Sequence, residues 1–492
     1  MCRADTVNRR WGPEPSRRCP YSGLAHKAAH VLSVPESMSI VRREAAVNYR
    51  AQCSCMHYLW LAIIVLWLMP CSVGAQLGKE GHSTDGKDSK NGTTSILQPV
   101  KVPVDAKSGL LMDAATGQVL VENNRDLKIE PASFEKLLVL YVVFDAIHRG
   151  KIKLDDEVFI SKSAWKTGGS KMFVQVNSKV PLLEIIKGIA VVSGNDACVA
   201  IAEHLYGSVD DFVTAMNEMA QKIGMKNSYF RNPHGLPDKQ QYTTVYDMAL
   251  LARSYINDFP EALQFHSMLE YTYSGIPKPI RQYNRNGLLK KDASVDGLKT
   301  GYIADSGYHL LATAKRDDRR LIAVVMGAES RAIREREAQR LLNAGYQKFE
   351  LRSLFTKDQV LAELPIWKGA RNTIPVVATE SGMITVPVGY KGKVSEDRTL
   401  PKEIVAPISK GQVLGKATIK IDSDVVKSIP LVASNDVQKA GFFRLLSHSI
   451  YLTCKNNTGT FFIVLAIIIT ISLFYYFTVT GWRRRNKAAF RI

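Results

Sequence analysis

The chain has 492 residues, 46% apolar and 23% charged, an ordinary globular balance with length for two or three domains. A formal charge of +19 raises nucleic acid, anionic lipid or an acidic polymer as a partner. No basic stripe with interleaved aromatics is present, which sets nucleic acid aside, and much of the charge sits at the two ends of the chain, where it reads as a topology signal.

Residues 1–75 read as an N-terminal extension and signal peptide. Tyr58 to Met69 is an apolar run of signal-peptide length, too short to span a bilayer comfortably. Val73 and Ala75 are small, which suits cleavage before Gln76. A start at Met38 gives the leader its positive flank through Arg42, Arg43 and Arg50, and the alternative is a long basic extension from Met1. Seven cysteines are present, five of them ahead of residue 76, so Cys198 and Cys454 alone remain after cleavage and a disulfide framework is not expected. No metal-ligand spacing stands out, and no cofactor is expected.

Residues 76–99 are polar and rich in Gly, Ser, Lys and Asp, a flexible leader. Helical and strand patterns then mix over 100–352. Leu110–Met112 and Gln118–Val121 flank Ala115-Thr116-Gly117 as a hairpin, and His309–Lys315 and Leu321–Gly327 flank Asp317-Asp318 as another. Leu137 to Ile147 and Ala197 to Tyr206 read as helices between them, which makes an α+β domain. Residues 353–440 change texture: short β-branched runs alternate with Gly, Pro and Lys, most clearly from about 372 to 437, and predict a small all-β domain. Residues 441–482 hold an amphipathic stretch, Phe442 to Leu452, and then an uncharged run, Phe461 to Val479, long enough to cross a membrane. The basic tail, 483–492, opens with Arg483, Arg484 and Arg485. By the positive-inside rule it is cytoplasmic, and the body faces outward.

Three short motifs carry chemistry. Ser133-Phe134-Glu135-Lys136 opens an apolar helix that runs to about Arg149. Residues three apart share a helix face, so Lys136 can reach the Ser133 hydroxyl, and burial would make its amine easier to deprotonate. A second copy of the pattern, Ser163-Ala164-Trp165-Lys166, has no buried helix behind it. Ser193-Gly194-Asn195 follows an apolar run and precedes a helix; singly it also reads as a turn with a helix cap. Lys299-Thr300-Gly301 precedes a strand-like segment, where a small Gly lets an extended peptide lie alongside while Lys and Thr bind its carboxylate. Its second copy, Lys166-Thr167-Gly168, lies in a loop and comes before the Ser-Gly-Asn element, the wrong order. The ordered triple matches a set known from β-lactamases and penicillin-binding proteins.

On these motifs the sequence resembles the low-molecular-mass penicillin-binding proteins, the serine D-alanyl-D-alanine carboxypeptidases. Pro131-Ala132-Ser133, Val192 to Ala197, Asn232-Pro233-His234-Gly235-Leu236, Asp296 to Gly301, and Pro407 to Gln412 with Gly415 look like segments of that family. The resemblance covers roughly residues 100 to 440. It implies a penicillin-recognising (β-lactamase/transpeptidase-like) α+β domain followed by a small β-sandwich that acts as a stalk, then the C-terminal transmembrane helix. It implies Ser133 as nucleophile, Lys136 as its base, Ser193 and Asn195 as proton shuttle and substrate holder, and Lys299 and Thr300, with Arg334, as carboxylate ligands beside Gly301. The amides of Ser133 and Tyr302 would form the oxyanion hole. The implied partners are peptidoglycan stem peptides, β-lactam antibiotics and the membrane. Glu135 and Tyr302 depart from the residues common at those positions. The rivals are a D,D-endopeptidase on crosslinks and a non-catalytic wall-binding or β-lactam-sensing protein. A β-lactamase is disfavoured by the lack of a Glu-x-x-Leu-Asn element.

Overall fold

Apolar residues on both parities of the strands predict a sheet covered on two faces, and the computed structural model, which describes residues 98–442, 445–447 and 458–489, has one. Its strands are β1 (Val100–Lys101), β2 (Ser108–Asp113), β3 (Val119–Asn123), β4 (Val295–Ile303), β5 (Gly307–Arg316) and β6 (Arg319–Ala328). Their order is β1-β3-β2-β6-β5-β4, antiparallel except for the β1–β3 pair. Both expected hairpins are present: β2 pairs with β3, and β5 with β6 around Asp317, which turns with φ of 51°.

The period of two sorts the sheet's side chains. Leu110, Met112, Ile322, Val324 and Met326 pack into one core with α1 (Lys136–His148), α2 (Leu182–Ala190), α3 (Asn195–Tyr206), α4 (Val209–Ile223) and α5 (Val245–Asp258). Leu111, Leu310, Ala323 and Val325 face the other way, onto Ala338, Leu341 and Leu342 of α6 (Arg331–Lys348). Side-chain oxygens cap α4, α5 and α6: Ser208 accepts from the Asp211 amide, Thr244 from Asp247 and Ser330 from Ile333. α1 is wrapped by protein from Leu137 to Phe144. A helix apolar on all sides can only sit at the centre of a domain.

The all-β part begins with β7 (Phe349–Phe355), which straddles the boundary expected between 352 and 353. It pairs with β10 (Gly382–Pro387) once β8 (Val360–Trp367) and β9 (Thr373–Ala378) have intervened. β11 (Val394–Thr399), β12 (Ile404–Val405), β13 (Val413–Ile421) and β14 (Asp424–Ala433) complete a six-stranded sheet of order β11-β13-β14-β9-β8-β12. Its core joins Val376, Ile419 and Leu431 to Ile384 and Phe355 of the two-stranded sheet, so the two sheets bury one another's inner faces. Strands β7 and β11 carry too many charged and exposed residues to be read as strands from pattern alone, and β8 contains Pro365, a residue that argues against a strand.

α7 (Thr458–Ala489) contains a 21-residue stretch, Phe462–Trp482, of mean hydropathy 2.4, long and apolar enough to cross a membrane. It is the one such helix among the described residues. The expected signal peptide at 1–75, the leader up to residue 97, Cys454, and residues 443–444 and 448–452 of the amphipathic stretch lie outside the described residues.

Candidate active site

The first site element is a tight turn ahead of α1. Ala132–Glu135 form a single 3-10 turn, and Lys136 begins the α-helix. Ala132 takes a left-handed backbone, φ 51°, which tips Ser133 out of the turn. Lys136 is fully buried, and its Nζ donates to Ser133 Oγ at 3.0 Å and to the carbonyl of His234. Burial drives the Lys136 pKa down, and nearby Arg285 adds to the fall, while Cys198, Glu135 and Asp196 oppose it. A buried amine with a lowered pKa, in contact with a serine hydroxyl, can take the hydroxyl proton.

The second element is the tip of the turn before α3. Ser193 sits in left-handed backbone, φ 62°, with Gly194 as the helix cap residue and Asn195 as the first residue of α3. Ser193 Oγ and Asn195 Oδ1 are buried and have no hydrogen-bond partner among the described residues. Unpaired polar atoms in a protein interior call for an explanation, and a ligand that supplies the missing partner is one. The other half of the Asn195 amide is fixed, since Nδ2 donates to the Gly168 carbonyl at 2.7 Å.

The third element is β4, an edge strand of the sheet. A Cβ on Gly301 would stand 3.1 Å from Ala132 Cβ, so this strand packs directly on the serine's turn. Lys299 is buried and its Nζ donates to the Thr300 carbonyl at 3.2 Å. Burial pushes its pKa well below the lysine range, with Lys136, Arg285 and Arg334 repelling its charge. Thr300 is buried; Tyr302 is exposed, its ring centroid 4.3 Å from that of Tyr308 and tilted by 31°.

The three elements are neighbours: Gly301 packs on Ala132 beside Ser133, and the Lys136 amine feels the charges of Lys299 and of Asp196, which follows Asn195. Arg334 lies behind them. Its guanidinium donates to the backbone carbonyls of Gly301 (3.4 Å), His309 (3.3 Å) and Arg285 (3.0 Å), and burial lowers its pKa to about 10. In this arrangement it ties β4 and β5 to the Arg285 loop. The second motif copies separate cleanly: Ser163 and Lys166 are exposed on a five-residue helix, Lys162–Lys166. The loop after them is still part of the site, because Gly168 holds Asn195.

Several supporting residues escape motif reading. Asp196 is buried, and its carboxylate accepts from the amides of Met172, Phe173 and Val174. Arg285 reaches Ser170 Oγ at 2.7 Å and adds a positive charge to the cleft. His309 is buried beneath Ser133's turn, its Nδ1 accepting from the Gly327 amide and its Nε2 donating to the Glu130 carbonyl. Cys198 is buried with its thiol pKa pushed up to about 12, mainly by burial. The Glu135 carboxyl is buried, and burial holds its pKa well above the carboxylate range against the opposing pull of the Lys136 charge and the Gly235 amide. Among the described residues no group of three or more His, Cys, Asp or Glu side chains could hold a metal.

Residues 93–330 match the family model described as D-alanyl-D-alanine carboxypeptidase, and residues 349–439 match that of the penicillin-binding protein 5 C-terminal domain. The chain is 39% identical over 355 residues to the D-alanyl-D-alanine carboxypeptidase DacC of Escherichia coli, covering 70% of this chain and 88% of that one. The chain belongs to the D-alanyl-D-alanine carboxypeptidase family. Another member, DacA of Haemophilus influenzae, is 38% identical over 358 residues, 72% of this chain and 90% of its own. The crystal structure of penicillin-binding protein 5 from Haemophilus influenzae superposes with a TM-score of 0.61 at 38% identity, covering 69% of this chain and 99% of that one. The family resemblance and the fold expected from the three motifs therefore hold: an α+β penicillin-binding-protein domain, a β-sheet domain after it, and one apolar C-terminal helix.

Proposed function

We propose that this chain is a serine-type D-alanyl-D-alanine carboxypeptidase that removes the terminal D-alanine from peptidoglycan stem pentapeptides. The observation that carries the reading is the fully buried Lys136 amine 3.0 Å from Ser133 Oγ, with the Lys299 ammonium near enough to repel its charge. In its neutral form Lys136 takes the Ser133 proton along that line. Ser133 Oγ attacks the carbonyl carbon between the two D-alanines, and the backbone amides of Ser133 and Tyr302 receive the oxyanion. The C–N bond breaks as the leaving amine gains a proton through Ser193. Water then cleaves the acyl ester with the same base, and Ser133 regains its proton. Asn195 orients the substrate amide, while Lys299 and Thr300 pair with the terminal carboxylate, with Arg334 bracing the strand beneath. β-Lactams acylate the same serine.

The D,D-peptidase domain runs from about residue 100 to the end of α6, and the stalk from the start of β7, ahead of the boundary expected between 352 and 353, to about residue 440. The helix at 458–489 anchors the chain once, with the tail at 483–492 in the cytoplasm and the catalytic domain on the outer face. The span's hydropathy and the run Arg483-Arg484-Arg485 support that orientation. Release of D-alanine from a stem pentapeptide, lost in Ser133→Ala, tests the function. A wild-type chain that binds penicillin covalently but releases no D-alanine sinks it.

A further inference from the structure

Asp196 does more than fill a pocket beside Asn195. Its carboxylate gathers three successive amides, those of Met172 and Phe173 at 2.8 Å and of Val174 at 3.3 Å. The chain turns sharply there, and Phe173 is held at φ 69°. A bulky residue rarely takes left-handed backbone, and strain of this kind collects at binding and catalytic sites. Yet Phe173 is 43% exposed. Core packing does not account for an aromatic ring that is clamped in a strained turn and left in water.

The ring borders a groove of about 480 Å³ whose walls include Trp165, Lys171, Phe173, Ile276, Lys278 and Ile280. Trp165 is 44% exposed, and no acidic side chain lines the groove among the described residues. The groove and the cleft share one wall, the loop Gly168 to Lys171. Its inner side holds Asn195, through the Gly168 carbonyl and through the Ser170 carbonyl, which accepts from the Asn195 amide at 2.7 Å. Ser170 also accepts from Arg285 at 2.7 Å. Its outer side opens onto the groove at Lys171, whose carbonyl accepts from Gln282 at 3.2 Å and whose ammonium donates to the Trp165 carbonyl at 2.8 Å.

We infer that this groove binds the sugar and the carboxylate-bearing upstream stem of the same peptidoglycan strand whose terminal dipeptide reaches Ser133. The inference rests on the carboxypeptidase reading. Apolar sugar faces cover Trp165 and Phe173, rings that present a large rigid contact surface at little entropic cost. Carboxylates pair with Lys171 and Lys278, a match of charge to an acidic polymer. Contacts remote from the reacting bond then help to hold it in place.

The test compares a free stem pentapeptide with the same peptide carried on its disaccharide, using the full chain in detergent. In Trp165→Ala, kcat/KM on the disaccharide-linked substrate should fall about tenfold, while the free peptide and penicillin acylation change less than twofold. Lys278→Gln should lower kcat/KM several-fold on both peptide substrates and leave penicillin acylation unchanged. Phe173→Asn, which keeps a residue that tolerates the left-handed turn, should show the same selective loss as Trp165→Ala. In the wild type kcat/KM should fall on both peptide substrates as salt rises, since the ion pairs at the groove are exposed, and the Lys278→Gln variant should show less of that fall. Equal losses on both substrates in Trp165→Ala or Phe173→Asn would mean that the loop only supports Asn195, and no loss on either in any variant would mean that the groove is empty in use; both overturn the inference. If the wild type cleaves neither substrate, the carboxypeptidase reading has failed instead. Affinity of Ser133→Ala for the disaccharide peptide then decides the groove alone, a tenfold drop on adding Trp165→Ala/Lys278→Gln supporting it and an unchanged affinity refuting it.

Discussion

Gly235 lies against Ala132 so closely that a Cβ at position 235 would stand 1.9 Å from the Ala132 carbonyl oxygen and 2.9 Å from the Ser133 amide nitrogen. The two residues are about a hundred positions apart in the chain, and they meet because the preceding carbonyl, that of His234, accepts from Lys136. Gly235 itself has φ of 77°, a conformation that side chains disfavour. Gly235→Ala should therefore push the serine's turn away from its lysine. Penicillin acylation should slow by more than tenfold, and stability should drop by roughly 1–3 kcal/mol, a common size for overpacking or backbone strain. Acylation at the wild-type rate in this variant would show that the turn has room the geometry denies.

The two Ser-x-x-Lys copies give the second prediction. Labelled penicillin should attach to Ser133, and peptide mass mapping should place it there. Ser133→Ala should abolish labelling with the fold intact, whereas Ser163→Ala should label as the wild type does, because Ser163 is exposed on a short helix. A label on Ser163 overturns the assignment.

How much of this could be read beforehand varies by the range of the interaction. The Ser133–Lys136 pair was legible because three residues on a helix face decide it. The two hairpins at Ala115-Thr116-Gly117 and Asp317-Asp318 were legible because turn chemistry and alternation are local. The Asp196 clamp was not, since its three amides lie more than twenty residues upstream and no side-chain pattern marks a backbone donor. Arg285 was hidden for the same reason, and Gly235 stood out only as part of the family-like segment Asn232 to Leu236, with no role attached. β11, Val394–Thr399, was missed on other grounds: three of its six residues are charged, as an edge strand with little to bury permits.

Acid should weaken the fold through two buried histidines. His266 donates from Nδ1 to the Leu298 carbonyl and accepts at Nε2 from Tyr255, and His309 accepts at Nδ1 from Gly327. Burial holds both pKa values at about 4, below the ordinary 6.5. The folded state thus favours the neutral form, and the unfolded state binds more protons between about pH 6.5 and 4. Stability is complete above the unfolded pKa and is lost as pH falls through that window, by up to roughly 3 kcal/mol per histidine. Urea midpoints measured from pH 7 to pH 4 should fall, and His309→Gln should flatten the slope. A midpoint independent of pH across that range counts against buried neutral histidines.

The anchor can be tested by truncation. A chain ending at Asn456 lacks the apolar helix, and it should be soluble and should still acylate with penicillin. If it stays with the membrane fraction, the segment around Phe442 to Leu452, or the apolar run near the N-terminus, also holds it there.

On the proposed reading, Lys299 sets the direction of cutting. A carboxypeptidase substrate ends in a free carboxylate next to the scissile bond, and Lys299 is the buried cation on the edge strand beside it. In the empty cleft, burial and the neighbouring cations hold its pKa down. A bound carboxylate reverses that pressure and favours the charged ammonium, so the substrate completes the ion pair. A charge-assisted hydrogen bond of this kind contributes roughly 1.5–3 kcal/mol. Lys299→Gln should therefore lower kcat/KM about 10- to 150-fold. Amidating the substrate's C-terminus should cost the wild type a similar factor. It should cost the Gln variant far less, because the partner is already gone. The non-additivity of the two changes is the diagnostic, since two independent effects would multiply. If the wild type cuts free-acid and amidated pentapeptides equally well, the terminal carboxylate is not read, and an endopeptidase acting on crosslinked stems becomes the better account of the same cleft.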